Sequence, residues 1–322
     1  MQYRRLGKSG LKLSALSYGS WVTFSFQLDE DAAGTLMRIA YDAGVNLFDN
    51  AEVYAGGASE TMMGRTLRKS GWGRDTYCVS SKVFWGGDKP TQRGLSRKHV
   101  HDGCHASLRR LQLDYLDLLF CHRPDPETPV EETVRAMDTL VRQGKVLYWG
   151  TSEWSADQVL EAHAVARREG LTPPVMEQPQ YNMLHRERVE RELRPLYEQV
   201  GLGTTTWSPL ASGILSGRYD RGIADHSRFT LPAYGWLKDE VLTEERVDKA
   251  RRLRPIADEL GISRAQLAIA WCLRNPDVSS VILGASRPEQ LEENLAALDK
   301  VALLTEDVLE KIDRVLGNRP AP

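Results

Sequence analysis

An alternation of short apolar runs with amphipathic segments, repeated eight times, constrains this chain more than any other feature of its 322 residues. Strands that alternate with helices pair in parallel, and eight such units predict a closed (β/α)8 TIM barrel of the α/β class. The predicted strands are Ala15–Tyr18, Asn46–Asp49, Tyr77–Lys82, Tyr115–Cys121, Val146–Thr151, Val175–Gln178, Gly203–Trp207 and Ser280–Leu283. The predicted helices are Asp29–Ala43, Ala58–Lys69, Arg97–Leu111, Val130–Gln143, Ser155–Glu169, Arg186–Val200, Glu244–Leu260 and Pro288–Leu298. We expect a single domain over residues 1–322, because α/β barrels of this length form one unit.

Several segments lie outside the repeat. Tyr3–Arg5 and Leu11–Leu13 predict a β-hairpin that caps the bottom of the barrel. Ser263–Leu273 and Thr305–Leu316 predict extra helices towards the C terminus. The stretch Ser208–Thr243 follows the seventh strand as a long loop, which is typical of a functional loop at the mouth of an active site.

The alternative fold for such a repeat is a doubly wound open sheet. That fold normally carries a GxGxxG fingerprint after its first strand. Here the first strand is followed by Tyr18-Gly19-Ser20-Trp21, so the barrel is favoured.

Charge and composition limit the classes of partner. The formal net charge is -2, which gives no electrostatic basis for binding nucleic acid or an anionic membrane surface. No apolar run reaches the length of a membrane span, and the first residues lack the apolar core of a signal peptide. The four cysteines are scattered without a CxxC pair, so no metal site is expected. We therefore expect a cytoplasmic protein, without membrane insertion, that acts on a small molecule.

Polar residues end three consecutive predicted strands. Asp49, Lys82 and His122 end strands two, three and four, and Tyr54 follows Asp49 in the second loop. Each residue alone has a more ordinary role, such as a turn former or a solvated side chain. Together they fall at the catalytic face of a barrel, which favours a catalytic cluster. Lys82 ends an apolar strand, where an unpaired ammonium would be costly, so Asp49 is its expected partner.

These four side chains suit one kind of chemistry. A phenol has a pKa of about 10, and a neighbouring ammonium is expected to lower the pKa of Tyr54. Asp49 would keep Lys82 charged and oriented, and His122 would hydrogen-bond a substrate carbonyl. Such a set protonates a carbonyl oxygen as hydride arrives at the carbonyl carbon.

Long stretches of the chain resemble the aldo-keto reductase family. They are NLFDNAEVYAGG, SSKVFWGG, RGLSRKHV, HRPDPETPVEETVRAM, WGTSEWS, WSPLASGILSG, QLAIAWCLRN and VILGAS. The likeness is to the branch that includes the β subunits of voltage-gated potassium channels and related bacterial reductases. It implies NADP(H) as cofactor, bound without a Rossmann fold, and a catalytic tetrad of Asp49, Tyr54, Lys82 and His122, with Tyr54 as general acid.

Three positions depart from this branch. The channel subunits generally have Asn at the position of His122, so the histidine favours an active reductase. Asn50 stands where the motif usually has Thr, with little expected consequence. Glu153 stands where the channel subunits have Arg, so the resemblance does not decide whether this side chain contacts the cofactor. The neighbouring Ser152 matches the family pattern.

The resemblance also implies the cofactor contacts. Ser152 and Gln178 would contact the nicotinamide carboxamide, and Trp207 would stack on the nicotinamide. The full implied set is Ser20, Trp21, Gln27, Asp49, Ser152, Gln178, Trp207, Ser208, Pro209, Leu210, Ala211, Ser212, Arg218, Arg228, Gly284, Ser286, Gln290, Glu293 and Asn294. Ser286 precedes a helix that starts at Pro288, and with a nearby cation, Arg287 or Arg228, it would suit a 2'-phosphate. NADPH is therefore favoured over NADH.

The substrate is the least determined part. We expect Tyr54, His122 and Trp85 to contact a carbonyl compound. Two alternatives stay open: a cofactor-sensing regulatory subunit resembling the channel β subunits, and a reductase of glyceraldehyde-3-phosphate or methylglyoxal-type aldehydes. Arg93, Arg97 and Arg123 near the mouth would serve a phosphate. By resemblance, a homo-oligomer, tetramer or octamer, is expected.

Overall fold

The computed structural model describes residues 1–223, 228–230, 235, 238 and 241–321. Its strands are β1 (Tyr3–Arg5), β2 (Lys12–Ser14), β3 (Leu16–Gly19), β4 (Leu47–Asp49), β5 (Cys78–Val83), β6 (Leu116–Cys121), β7 (Val146–Thr151), β8 (Met176–Glu177), β9 (Gly203–Thr206) and β10 (Ser280–Leu283). Its α-helices are α1 (Glu30–Asp42), α2 (Ala58–Ser70), α3 (Arg97–Leu111), α4 (Val130–Arg142), α5 (Ala156–Glu169), α6 (Arg194–Gln199), α7 (Glu244–Arg252), α8 (Arg254–Glu259), α9 (Arg264–Arg274), α10 (Pro288–Leu295) and α11 (Glu306–Leu316).

Strands β3 to β10 pair in parallel in chain order, and β10 returns to β3 to close the barrel. The predicted (β/α)8 fold is therefore confirmed. Each strand end lies within one residue of the prediction; the predicted Val175–Gln178, for example, is a strand only over Met176–Glu177. No helix in the described part of the chain is long and apolar enough to cross a membrane.

The N-terminal hairpin forms as predicted, with β1 antiparallel to β2. Leu6 and Leu13 of this hairpin are fully buried. They belong to a separate apolar cluster with Leu47, Cys78, Leu118, Phe120 and Met176. Because side chains two residues apart in a strand share a face, Leu47 and Cys78 lie on the same face as Asp49 and Lys82. The inward face is thus apolar beside the hairpin and polar at the carboxyl ends of the strands.

Two predicted helices are broken. Arg186–Val200 contains a π-helical turn at Arg188–Glu192, followed by α6. Glu244–Leu260 divides into α7 and α8. In both, a proline stands at the start of the second helix, where its missing N–H is tolerated but the preceding helix cannot continue through it.

The C-terminal elements follow the prediction with small changes. The predicted Pro288–Leu298 is α-helical to Leu295 and continues as a 3-10 helix over Ala296–Leu303. The extra helices α9 and α11 are present. In the long loop after β9, the described residues include 3-10 helices at Ala211–Ser216 and Arg228–Thr230.

Candidate active site

A cavity of about 930 Å³ opens at the carboxyl ends of the barrel strands. It runs from Tyr54, Trp85 and His122 to the start of α10. Its lining contains most of the residues predicted to bind a cofactor or substrate: Trp21, Gln27, Asp49, Tyr54, Trp85, His122, Ser152, Gln178, Trp207, Ser208, Pro209, Leu210, Ser212, Arg218, Gly284, Ser286, Gln290, Glu293 and Asn294.

Three of the residues predicted to contact the cofactor are not among the described residues that line the cavity. Ser20 is fully buried, and its hydroxyl donates to the carbonyl oxygen of Asp49 at 3.1 Å instead of facing the cavity. Ala211 is buried and does not line the cavity. The side chain of Arg228 lies outside the described residues.

Lys82 connects the predicted tetrad. Its Nζ lies 2.7 Å from Asp49 Oδ2, 2.7 Å from the carbonyl oxygen of Asn50 and 3.1 Å from the Tyr54 hydroxyl. All three donors of the ammonium are therefore used. The side chains of Lys82 and Asp49 are 1% and 4% exposed, so this is a buried ion pair behind the cavity wall.

Asp49 is held from both sides. Its Oδ1 accepts from the Ser80 hydroxyl at 2.7 Å and from the Gln178 amide at 3.1 Å. Asn50 serves Lys82 through its backbone carbonyl, and its own side chain turns to Met63. Because any residue supplies that carbonyl, the departure from Thr at this position leaves the Lys82 contact unchanged.

Burial controls the protonation of Tyr54. It raises the pKa of Tyr54 well above the ordinary value, and the Asp49 carboxylate raises it further, while Arg123 opposes the shift. The expectation that the pKa of Tyr54 is lowered by the neighbouring Lys82 is therefore wrong, because the net shift is upward. The ammonium is already paired with Asp49 at 2.7 Å, so the pair offers little net charge to a phenolate that burial disfavours. Tyr54 keeps its proton at neutral pH.

His122 lies between two aromatic rings. Its ring centroid is 6.0 Å from that of Tyr54 and 5.0 Å from that of Trp85. Burial, with the charges of Lys82 and Arg123, holds the pKa of His122 well below 6.5. At neutral pH the imidazole is therefore neutral and has one N–H to donate.

Glu153, whose role the sequence left open, contacts two residues that line the cavity. Its Oε1 accepts from the indole N–H of Trp207 at 2.9 Å and from the backbone N–H of Gln180 at 2.6 Å. Its Oε2 lies 3.3 Å from Arg188 Nε. The backbone of Glu153 has φ 59, in the left-handed region that few glutamates occupy. Glu153 therefore orients Trp207.

The remaining lining residues were not predicted as contacts. They are Gly19, Thr23, Val53, Arg123, Gln180, Gly213, Ser216, Gly217, Tyr219, Val241, Ala265, Ile282, Leu283, Ala285 and Arg287, of which Arg123 and Arg287 were considered as anion-binding cations. Most are small or apolar, and their type carries no chemical signal. Among the three arginines considered for the mouth, Arg93 is exposed and Arg97 lines a separate surface hollow beside α4. Arg123 alone of the three lines the main cavity.

The far end of the cavity is suited to an anion. Ser286 donates from its backbone N–H and its hydroxyl to the same Oε1 of Gln290, at 3.2 and 3.3 Å. These two donors share one neutral acceptor, so they are available to hydrogen-bond a charged ligand instead. The first turn of a helix also favours negative charge. A Cβ on Gly284 would meet nothing within 4 Å. The cavity volume is near the top of the usual range of about 300–1,000 Å³ for ligand sites, so an extended anionic cofactor fits here.

Comparison with known proteins agrees with the resemblance of the sequence. The model of the aldo/keto reductase family matches residues 15–316. A protein of Arabidopsis thaliana and one of Oryza sativa subsp. japonica, each called a probable voltage-gated potassium channel subunit beta, are each 54% identical to this chain over 321 residues. Each match covers 99% of this chain and 98% of the relative.

Proposed function

The chain belongs to the aldo/keto reductase family, and from this premise we propose that it reduces aldehydes and ketones to alcohols with NADP(H), with Tyr54 as the general acid. One observation carries the proposal: the Lys82 ammonium bonds both the Asp49 carboxylate and the Tyr54 hydroxyl at the wall of the cavity. This arrangement can give a proton to an oxygen in the cavity and stabilise the phenolate left behind.

Residues along the cavity would hold the cofactor, which supplies the hydride when bound. Ser152 and Gln178 would bind the nicotinamide carboxamide, and Trp207, oriented by Glu153, would cover the ring. Ser286 and Arg287 at the start of α10 would bind the 2'-phosphate.

The chain's own residues act on the carbonyl oxygen. The neutral His122 would donate its N–H to that oxygen and hold it near the Tyr54 hydroxyl. Tyr54 would then transfer its proton, and the Lys82 hydrogen bond would stabilise the phenolate while Asp49 keeps the ammonium in place. The raised pKa of Tyr54 favours reduction, because oxidation of an alcohol needs the phenolate form.

Reduction is expected to be nearly independent of pH between about pH 6 and pH 8, because neither His122 nor Tyr54 titrates there. Alcohol oxidation is expected to rise about tenfold per pH unit over the same range, as the phenolate fraction grows. The measurement is kcat/KM in both directions against pH. A midpoint near neutrality in the reduction profile would contradict the assigned protonation states.

Arg287→Gln is expected to weaken NADPH binding about 10- to 100-fold, the range for a lost hydrogen bond to a charged group. NADH binding should change little, since it has no 2'-phosphate. Titration of cofactor fluorescence measures both, and Arg254→Gln, an exposed cation paired with Asp258, is the matched charge control. Equal losses for the two cofactors would remove Arg287 from the phosphate site and leave Arg228 as the candidate.

The proposal is tested by NADPH oxidation against a panel of aldehydes and ketones. A second candidate, a regulatory subunit that senses its cofactor, is supported by the names of the two plant relatives. It predicts tight NADPH binding with no carbonyl turnover, whereas the reductase predicts turnover that Tyr54 controls. The cytoplasmic location and the tetramer or octamer belong to the same proposal, and light scattering tests the assembly.

A further inference from the structure

We propose that Arg123 selects the substrate, and that the site takes a carbonyl compound bearing a carboxylate on a short apolar or aromatic frame. The inference rests on the proposed function, since it names the substrate class of the same site.

Arg123 is fixed in place beside the reacting groups. It follows His122 directly, is half-buried and lines the same cavity. Its Nη1 donates to the carbonyl oxygen of His122 at 2.6 Å and contacts Ser152 Oγ at 3.3 Å. Its guanidinium carbon lies 5.6 Å from the centre of the Trp85 ring. Such a guanidinium is preorganised to bind a planar anion.

Among the described residues Arg123 has no carboxylate partner, unlike several other half-buried arginines. Arg74, Arg110 and Arg264 each contact a carboxylate oxygen within 2.6 Å. In the part of the chain that the structure describes, Arg123 has no ion pair, and its Nε and Nη2 have no protein acceptor. A positive group on a cavity wall with free donors and no counter-ion is a site for an anionic ligand.

The position of Arg123 limits the size of that ligand. Its guanidinium carbon lies 5.6 Å from the centre of the Trp85 ring, which is 5.0 Å from that of His122, and the His122 ring centre is 6.0 Å from that of Tyr54. A single small molecule can therefore place its carbonyl at Tyr54 and its anion at Arg123. Trp85 lies beside both His122 and Arg123, and with Trp21 and Val53 it lines the same cavity, which favours an apolar frame between the two groups.

One guanidinium favours a carboxylate over a phosphate. A phosphate monoester carries about 1.5 to 2 negative charges near pH 7 and is usually held by several cations. Arg93 and Arg97 would have completed such a cluster, but both lie outside this cavity.

The experiment compares matched pairs of aldehydes with NADPH. The three formylbenzoate isomers are the anionic substrates, and their methyl esters are neutral controls of similar shape. In Arg123→Gln, kcat/KM for the preferred formylbenzoate is expected to fall about 10- to 100-fold, mainly through KM. The ester should change less than about threefold, and Arg123→Lys should recover part of the loss. Arg93→Gln removes the same charge from an exposed site and should behave as wild type.

A binding measurement separates recognition from turnover. Calorimetry of benzoate and benzamide on the NADP+-saturated protein should show tighter benzoate binding that Arg123→Gln abolishes. Equal losses for acid and ester would mean that Arg123 has a structural role, which would overturn this inference but leave the proposed reductase function standing. A wild-type protein that does not prefer the acid would have the same consequence. A larger Arg123-dependent loss for glyceraldehyde-3-phosphate than for formylbenzoates would assign a phosphate and also overturn it. Reduction of no carbonyl compound at all would overturn the proposed function as well.

Discussion

Tyr54→Phe is expected to lower kcat for carbonyl reduction by about 1,000-fold, within the range that a positioned proton donor contributes. The change removes one oxygen and keeps the ring that lies against His122 and Lys82. Because the hydroxyl accepts one side-chain hydrogen bond among the described residues, from Lys82 at 3.1 Å, the fold and NADPH affinity should be nearly unchanged. Single-turnover oxidation of bound NADPH after mixing with an aldehyde measures the chemical step directly.

The matched control is Tyr41→Phe. Tyr41 also loses one hydroxyl, which bonds Thr76 on the surface at 2.8 Å, and it does not line the cavity. It should keep wild-type turnover. If Tyr54→Phe reduces aldehydes at more than a tenth of the wild-type rate, another group donates the proton, and the tetrad assignment fails.

The meeting of Asp49, Lys82 and His122 could be predicted because two regularities combine. The strand period of two puts alternate residues on one face, and the parallel barrel brings the carboxyl ends of successive strands together. To predict that these residues lie together, it was therefore enough to know that each one ends a strand. The long matching stretches then led to the cofactor and the reaction that we propose.

The contact between Glu153 and Trp207 could not be predicted in the same way. The two residues lie beyond strands β7 and β9, which are not neighbours in the sheet. Their contact depends on a left-handed backbone at Glu153, which the residue type does not favour. The sequence marked Glu153 only as a departure from the family pattern.

The sign of the Tyr54 pKa shift shows a different limit. The sequence placed Asp49 and Lys82 beside Tyr54, but the pKa shift also depends on burial and on Arg123. Burial and the close Lys82–Asp49 pair outweigh the attraction that sequence reasoning assigned to the ammonium. The neighbours of a site were predictable, and the balance between their charges and desolvation was not.

Breaking the Lys82–Asp49 pair from either side is expected to destabilise the fold strongly. Asp49→Ala and Lys82→Met should each lower the free energy of unfolding by about 3–5 kcal/mol, the range for an uncompensated buried charge. The double variant should recover much of this loss, because no unpaired charge remains, yet it should stay inactive without the ammonium beside Tyr54. Urea unfolding measures all three variants. Asp102→Ala, which breaks the exposed Lys98–Asp102 pair, should cost less than about 1 kcal/mol.

The pH dependence of Asp49→Ala identifies which charge causes its defect. Burial already lowers the pKa of Lys82 in the folded protein, and removing Asp49 should lower it further. The unfolded chain then binds more protons than the folded one between that lowered pKa and about 10.4, so the free energy of unfolding rises with pH across this window. The defect of Asp49→Ala should therefore shrink as pH is raised, because Lys82 becomes neutral in the fold. In Lys82→Met the lysine no longer titrates, so the free energy of unfolding of this variant should show no such rise. A pH-independent defect in Asp49→Ala would mean that Ser80 and Gln178, which also lose their acceptor, account for the destabilisation instead of the ammonium.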